Sequence, residues 1–199
     1  MVETSAERTR KGEMRVMEFE EKTLTTEVIF DGVLVHLERE EVELPNGKTA
    51  IREIIRHPGA VAIIPFTKDG EMILVRQFRK PLDRTIVEIP AGKLDAEDAD
   101  GLTAAKRELE EETHYQAESW EELVTMYPTP AYLDEKFTIY VAEGLTEVAE
   151  PLAGDDDEFV EVLTCTYEEA MALQQSGEIC DAKTLYAMLY WKNRLAEKE

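Results

Sequence analysis

The chain has 199 residues, of which 43% are hydrophobic and 33% charged, and its formal net charge is −22. This length suits one domain of ordinary size with a small additional unit, and the composition is typical of a globular protein. The strong negative charge disfavours binding to nucleic acid, whose backbone carries the same sign. An anionic substrate would therefore need arginines, metal ions or both at its site.

Membrane and export signals are missing from the sequence. No apolar run approaches the roughly 20 residues that a membrane-spanning helix needs. The first eleven residues are polar and lack the apolar segment of a secretory signal. We therefore expect no membrane partner and a cytoplasmic location.

The N-terminal quarter has the pattern of a small antiparallel β unit. A strand-like pattern runs from residue 20 to 55, with apolar alternation beginning at Val33 and the pair Asn46-Gly47 between two runs. An Asn-Gly pair in this setting is a strong hairpin signal. So small a sheet has little core of its own and must pack on something else. We assign residues 1–57 to this β-rich segment and 58–199 to a second domain.

Strands and helices are mixed in the second domain. The continuous apolar run 59–66 predicts a buried strand. Further strands are expected at 72–78, 85–89, 123–126, 137–142 and 158–163. Helices are expected at 102–113, from the capping box at Thr166 to Gly177, and from the N-cap Asp181 to 196. The order predicts an α/β fold in which a sheet lies between helices, rather than a regular βαβ repeat.

The densest chemical signal lies in the first predicted helix. Glu108, Glu111 and Glu112 are spaced i, i+3 and i+4, so they project from one face, whereas Glu110 points elsewhere. Like charges on one helical face repel each other unless a cation lies among them. Carboxylate oxygens are the ligands that Mg²⁺ and Mn²⁺ prefer.

A solvated charged face would be the ordinary interpretation of such a glutamate-rich helix. Two neighbours favour a metal site instead. The loop Pro90-Ala91-Gly92 has an open backbone that can approach a phosphate or a metal. Arg107, directly before the cluster, can pair with a carboxylate and hold it in place.

Residues 92–115 resemble the Nudix box, G-x5-E-x7-R-E-U-x-E-E-x-G-U, in which U is a bulky apolar residue. The core R-E-L-x-E-E matches in full at 107–112. The resemblance implies an α/β/α sandwich with the box as loop-helix-loop. It also implies Mg²⁺ as cofactor, with Mn²⁺ as a substitute. The implied metal ligands are Glu108, Glu111, Glu112 and the backbone carbonyl of Ala91.

The box departs from the pattern in two places. Arg107 follows Gly92 by fifteen residues rather than fourteen, so one residue is inserted between 95 and 101, and Glu97 and Asp98 both compete for the early Glu position. The final Gly of the box is His114. That position commonly has a positive φ, which His tolerates better than most residues, and we assign His114 no catalytic part.

The flanks of the box resemble the ADP-ribose pyrophosphatase branch of the family. The resemblance is carried by the segments 76–79 and 88–92 and by Pro130, and it runs from about residue 20 to the C-terminus. It implies Mg²⁺-dependent hydrolysis of the pyrophosphate bond of ADP-ribose to AMP and ribose 5-phosphate. Two alternatives stay open: hydrolysis of another nucleoside diphosphate sugar such as GDP-mannose, and a non-catalytic nucleotide-binding sensor.

A small nucleoside diphosphate substrate needs further binding groups. Three arginines on or beside predicted strands could contact the diphosphate: Arg52, Arg76 and Arg79. Surface salt bridges are an equally good interpretation of each arginine taken alone. Glu88 could accept a hydrogen bond from a ribose hydroxyl or the adenine amino group. Phe30 or Val33 could pack on adenine, although an apolar strand position is more often part of the core.

Hydrolysis also needs a base that activates water. In this branch the proline-rich loop 128–135 carries an acidic residue that acts as base or as an extra metal ligand. We favour Glu135, with Asp134 next, and we also count Glu111 as catalytic; exposed loop acids are the alternative for the first two. Relatives in the branch are often homodimers in which N-terminal strands cross to the partner, so we expect a homodimer through this segment.

Overall fold

The computed structural model describes residues 19–154 and 159–197. The chain divides into two compact units, with the boundary between Arg56 and His57. We call them the N-terminal unit and the C-terminal unit. The predicted start of a strand at residue 158, and part of the acidic stretch before it, lie outside the described residues.

The N-terminal unit is a three-stranded antiparallel sheet with the order β1-β2-β3. Its strands are β1 (Lys22–Asp31), β2 (His36–Glu43) and β3 (Thr49–Arg56). The predicted Asn-Gly hairpin is confirmed: Gly47 has a φ of 77°, and its N–H donates to the Leu44 carbonyl at 2.8 Å. Glycine adopts this left-handed conformation without a steric penalty, which allows the tight turn between β2 and β3.

The alternation that begins at Val33 does not form a strand. The N–H of Gly32 donates to the carbonyl of Val35 at 2.9 Å, which closes a turn between β1 and β2. Val33 lies on this turn with its side chain fully exposed, and the strand starts only at His36. The backbone hydrogen bond across the turn prevails over the β propensity of the valines, so the strand expectation at Val33 is wrong.

The described residues of the C-terminal unit form two sheets and three helices. Its strands are β4 (Ala60–Pro65), β5 (Met72–Arg79), β6 (Arg84–Glu88), β7 (Ala91–Lys93), β8 (Tyr115–Met126), β9 (Phe137–Glu147) and β10 (Val160–Cys165). They form one sheet of order β7-β4-β9-β8 and another of order β10-β5-β6. The helices are α1 (Gly101–Thr113), α2 (Tyr167–Ser176) and α3 (Ala182–Ala196), and a 3-10 turn spans Lys80–Leu82.

Strand β4 is buried on both faces and pairs in parallel with β9. Val61 and Ile63 belong to a core cluster with Leu109 and other apolar residues of α1. Ala62 and Ile64 point to the other face, in the cluster that contains Trp191 and Met188 of α3. Helices therefore cover both faces of the sheet, as expected for a buried parallel strand with a continuous apolar sequence. The predicted α/β/α sandwich with a small N-terminal β unit is confirmed.

Side-chain caps begin all three of these helices, and those at Thr166 and Asp181 were predicted. Asp100 caps α1 by accepting from the Thr103 N–H at 2.8 Å, and His114 ends it with a φ of 64°. Thr166 forms the predicted capping box of α2, and Asp181 caps α3. A non-glycine residue in the left-handed region is strained, and His114 accepts this strain where the family pattern has Gly.

Among the described residues, no helix combines the length and the apolar character that crossing a membrane requires.

Candidate active site

The face of α1 that carries the acidic triplet points inward. Glu108 and Glu112 are buried and Glu111 is half-buried. Glu110 lies on a different face, where its carboxylate accepts from the Gln116 amide at 2.7 Å and from the Leu152 N–H at 3.1 Å. The helical spacing read from the sequence therefore separates the three inward carboxylates from Glu110.

Arg107 holds two of these carboxylates together. Its Nη1 donates to Glu108 Oε1 and to Glu111 Oε2, each at 2.8 Å. Its Nη2 donates to Asp98 Oδ2 at 3.0 Å and to the carbonyl of Lys93 at 3.2 Å. The hydrogen bonds with Asp98, together with the charges of Glu108 and Glu111, raise the pKa of Arg107 above its already high usual value. The guanidinium thus stays charged between the glutamates and the loop before α1.

Asp98 fills the early acidic position that the sequence left open between Glu97 and Asp98. Its carboxylate is almost fully buried and pairs with Arg107, whose hydrogen bond holds the pKa of Asp98 below its usual value. Counted from Gly92, Asp98 stands where the pattern expects Glu, so the inserted residue lies between Asp98 and Arg107. Counting from the glycine rather than from the arginine would have identified it.

The loop between β6 and α1 shapes the other side of the carboxylate cluster. The N–H of Ala91 donates to Glu112 Oε2 at 2.9 Å. A Cβ atom at Gly92 would lie 2.0 Å from the Glu108 carboxylate. Only glycine therefore leaves room for Glu108 in its present position, which gives the box glycine a direct steric role.

The end of β6 is fixed from the opposite direction by α3. The Ile89 N–H donates to Thr184 Oγ1 at 3.0 Å, and both residues are fully buried. Glu88, only 3% exposed, accepts from Arg79 Nε at 2.6 Å through one oxygen and pairs with Lys183 Nζ through the other. The sequence suggested Arg79 and Glu88 as separate substrate ligands, and the structure brings them together. Lys183 carries no local motif and was not anticipated.

The remaining predicted substrate residues lie on β5, β3 and β1. Arg76 on β5 donates to its cross-strand partner Glu161 at 2.9 Å and lies 3.5 Å from Glu178. Arg52 on β3 pairs with Glu21 within the N-terminal unit, and Phe30 on β1 is exposed. Each of the two arginines thus has carboxylate partners from its own unit.

The two proposed bases lie on the loop between β8 and β9. Asp134 is exposed, and its Oδ1 accepts from the His57 N–H at 2.8 Å. Glu135 is half-buried. The contact with His57 ties this loop to the segment that precedes β4. The base assignment stays a prediction.

The donor set of α1 fits a hard divalent cation. All donors are oxygens, and the space beside Glu108 is kept open by Gly92. No group of three or more His, Cys, Asp and Glu side chains in residues 19–154 and 159–197 already converges as metal ligands. Arg107 draws two of the carboxylates to its own nitrogen, so they must turn to share a cation. The residues that could hold one are Glu108, Glu111, Glu112 and the carbonyl of Ala91.

Comparison with known proteins gives the class to which this fold and site belong. The NUDIX domain model matches residues 56–187, which is more than half of the chain, and the chain therefore belongs to the NUDIX family. Residues 21–55 match the nucleoside diphosphate sugar hydrolase N-terminal domain. The resemblance read from residues 92–115 is confirmed.

Individual relatives show which members of the family this chain resembles. The chain is 50% identical over 171 residues to the ADP-ribose pyrophosphatase of Bacillus subtilis, covering 86% of this chain and 92% of the relative. It is 47% identical over 172 residues to the methanol dehydrogenase activator of Bacillus methanolicus, with the same coverage. A crystal structure of an ADP compounds hydrolase matches with a TM-score of 0.79 at 24% identity, covering 90% of this chain and 96% of the other, which supports the fold.

Substitution of Gly92 tests the steric role of the box glycine. In Gly92→Ala the new Cβ displaces the Glu108 carboxylate, a flexible group, so we expect a folded protein whose Mn²⁺ affinity falls at least about tenfold. Titration calorimetry measures the affinity. Gly70→Ala is the control, because Gly70 has a φ of +83° and nothing within 4 Å of the added atom. It should cost about 1 kcal/mol of stability through backbone strain and leave Mn²⁺ binding unchanged. Equal affinity in Gly92→Ala and wild type would refute the steric role.

Proposed function

We propose that this protein hydrolyses the pyrophosphate bond of ADP-ribose in the cytoplasm, yielding AMP and ribose 5-phosphate, with Mg²⁺ as cofactor and Mn²⁺ as a substitute. The observation that carries the proposal is the set of three inward carboxylates on α1, two of which are held by Arg107 and one of which has its space kept open by Gly92. The Bacillus subtilis ADP-ribose pyrophosphatase, half identical over most of both chains, supports this substrate.

In this mechanism, the metal would be held by four groups: the carboxylates of Glu108, Glu111 and Glu112 and the carbonyl of Ala91. When bound, the metal neutralises charge on the diphosphate and lowers the pKa of a water molecule. Arg107 keeps the carboxylates of Glu108 and Glu111 together and opposes their repulsion.

The substrate contacts that we propose are the residues predicted from the sequence. Arg79 offers its two terminal amino groups to the diphosphate, since only its Nε is engaged by a described residue. Arg76 and Arg52 would have to exchange their carboxylate partners for phosphate oxygens. Phe30 is an exposed aromatic side chain suited to pack on adenine.

A substrate panel tests the reaction. Phosphate released by a coupled phosphatase is measured with ADP-ribose, GDP-mannose, NADH, diadenosine polyphosphates and nucleoside triphosphates, with and without Mg²⁺. We expect metal-dependent cleavage that strongly favours ADP-ribose. Preference for GDP-mannose would keep the site and replace the substrate. Inactivity on the whole panel would favour a nucleotide-binding sensor and overturn the proposal.

Two substitutions on the same helix distinguish the loss of a metal ligand from the mere loss of one negative charge. Glu112→Gln should lower kcat by about 100-fold or more, because a ligand of the cation is lost while the side chain keeps its shape. Glu110→Gln is the control, since Glu110 points away from the triplet toward Gln116 and Leu152. It should keep kcat within about twofold and lose only surface contacts. A near-normal rate in Glu112→Gln would refute the metal assignment.

The same assay addresses the base. We propose Glu135 as the group that accepts the proton of the attacking water, with Asp134 as the next candidate. Glu135→Gln is expected to lower kcat by about 100-fold or more, because the group that accepts the proton of the attacking water is lost. If Glu135→Gln and Asp134→Asn both keep the wild-type rate, the base lies outside this loop.

We also propose a homodimer formed through the N-terminal unit. Every residue of β1 is exposed, including the apolar side chains of Leu24, Val28, Ile29 and Phe30. An exposed strand that carries several apolar side chains is typical of an interface.

Light scattering measures the assembly. We expect a mass near twice the 22.7 kDa of one chain. Val28→Asp should yield monomers, because a charge cannot be buried unpaired in an interface. Leu189→Asp is the control and should leave the dimer intact, because Leu189 is a comparably exposed apolar residue on α3. A wild-type protein that is monomeric at micromolar concentration would contradict the dimer.

A further inference from the structure

The carboxylate of Glu88 joins two cations from different elements. One oxygen, Oε2, accepts from Arg79 Nε at 2.6 Å. The other, Oε1, pairs with Nζ of Lys183 in the first turn of α3. Glu88 is 3% exposed, so water has little access to either oxygen. Each oxygen of this buried carboxylate is therefore satisfied by a separate cation.

The arrangement leaves most of the Arg79 guanidinium available. Nε is the only nitrogen of Arg79 with a partner among the described residues, and the side chain is 38% exposed. The two terminal amino groups lie in one plane with Nε and form a fork of donors. Such a fork fits two oxygens of a phosphate group in the bidentate geometry that arginine prefers.

The same geometry identifies what competes for the fork. A carboxylate with two acceptor oxygens binds an arginine in the same bidentate way as a phosphate does. If Oε1 of Glu88 were vacant, it would be a buried unsatisfied acceptor, and a terminal amino group of Arg79, which already binds the same carboxylate through Nε, could satisfy it. Lys183 occupies Oε1 and so removes this alternative.

Lys183 is itself held in place. Its Nζ donates to Asp181 Oδ1 at 3.0 Å, and Asp181 caps α3 by accepting from the Thr184 N–H at 3.1 Å. Thr184 in turn accepts from Ile89 at the end of β6. The two cations and two carboxylates balance in charge, so the cluster supports Arg79 by its geometry rather than by net positive charge.

We propose that Lys183 is a positioning residue for substrate binding. By occupying one oxygen of Glu88, it keeps Arg79 bound to Glu88 through Nε alone and leaves the guanidinium fork for a phosphate group of the substrate. This inference rests on the proposed function for the identity of the substrate. It assigns to Glu88 the role of holding Arg79 rather than direct contact with the adenosine moiety.

Steady-state kinetics with ADP-ribose and Mg²⁺ test the proposal in the full chain. Lys183→Met keeps the length of the side chain and removes its charge. We expect KM to rise about tenfold while kcat stays within about twofold, because the lost contact serves the bound substrate and the transition state alike. Lys183→Arg should restore most of the affinity. Lys192→Met is the matched control, since Lys192 is an exposed residue of the same helix. An unchanged KM in Lys183→Met would overturn the proposal.

A double substitution shows whether Lys183 acts through Arg79. If it does, Arg79→Gln combined with Lys183→Met should have the same KM as Arg79→Gln alone. Additive increases in KM would mean that Lys183 acts independently and would overturn the proposal. Thermal unfolding of each variant accompanies the kinetics. Should Lys183→Met not fold, Glu88→Gln serves instead, and a normal KM in that variant is the contrary result.

A measurement without substrate separates this inference from the proposed function. The Nε–H resonance of Arg79, assigned by its loss in Arg79→Lys, reports the bond to Glu88 in an NMR spectrum. We expect it to shift in Lys183→Met and to stay in place in Lys192→Met. An unshifted resonance in Lys183→Met would refute the positioning role even if ADP-ribose is cleaved. A wild-type protein that leaves ADP-ribose intact would refute the proposed function, while the NMR comparison would still decide the role of Lys183.

Discussion

Mutual repulsion among three carboxylates on one face of α1 is the constraint to which the rest of the site responds. The guanidinium of Arg107 offsets part of this repulsion. Its Nη1 is shared by Glu108 and Glu111, and its Nη2 binds Asp98 and the Lys93 carbonyl. The charge of Arg107 is therefore divided between the helix and the loop that precedes it. Because the same group binds both, the position of the carboxylates and the path of the loop are set together.

Burial of β4 on both faces explains why this helix and this loop meet where they do. Val61 and Ile63 face α1, and the Ile63 N–H also donates to the Pro90 carbonyl at 2.8 Å. Ala91 then reaches Glu112, and Ile89 is held by Thr184 of α3. The short segment from β6 to β7 is thus fixed by the sheet, by α1 and by α3. Rigid support of this kind lets a site be formed before a ligand arrives.

Local chemistry was readable from the sequence, because its causes lie within a few residues. The Asn-Gly turn, the capping residues and the inward face of α1 all follow from spacing alone. The positive φ of His114 was likewise foreseen from its place at the end of the box. The layers were predicted from the mixed order of strands and helices and from the family resemblance, and the continuous apolar run of β4 predicted that this strand is buried.

Features that depend on the edge of a sheet or on residues distant in the chain could not be predicted from the sequence. Strand β8 begins at Tyr115, well before the predicted start at residue 123. The prediction missed its first half because β8 is an edge strand, and this half is rich in polar residues and alternates between solvent and core. Val33 was placed in a strand although it lies on a turn. Glu88 and Lys183 lie 95 residues apart, and no local pattern reveals that they meet. Sequence resemblance identified Arg79 and Glu88 as important without showing that they touch.

The hydrogen bond between Ile89 and Thr184 has a consequence for synthesis on the ribosome. Helix α1, which carries the acidic triplet, is complete about seventy residues before α3 is made. At translation rates of about 5–20 residues per second, this interval lasts roughly 4–14 s. During it, α1 can form while the end of β6 still lacks its anchor in α3. A nascent chain would therefore carry the acidic helix for several seconds before the site becomes rigid, which delays the onset of activity until α3 can fold against the sheet.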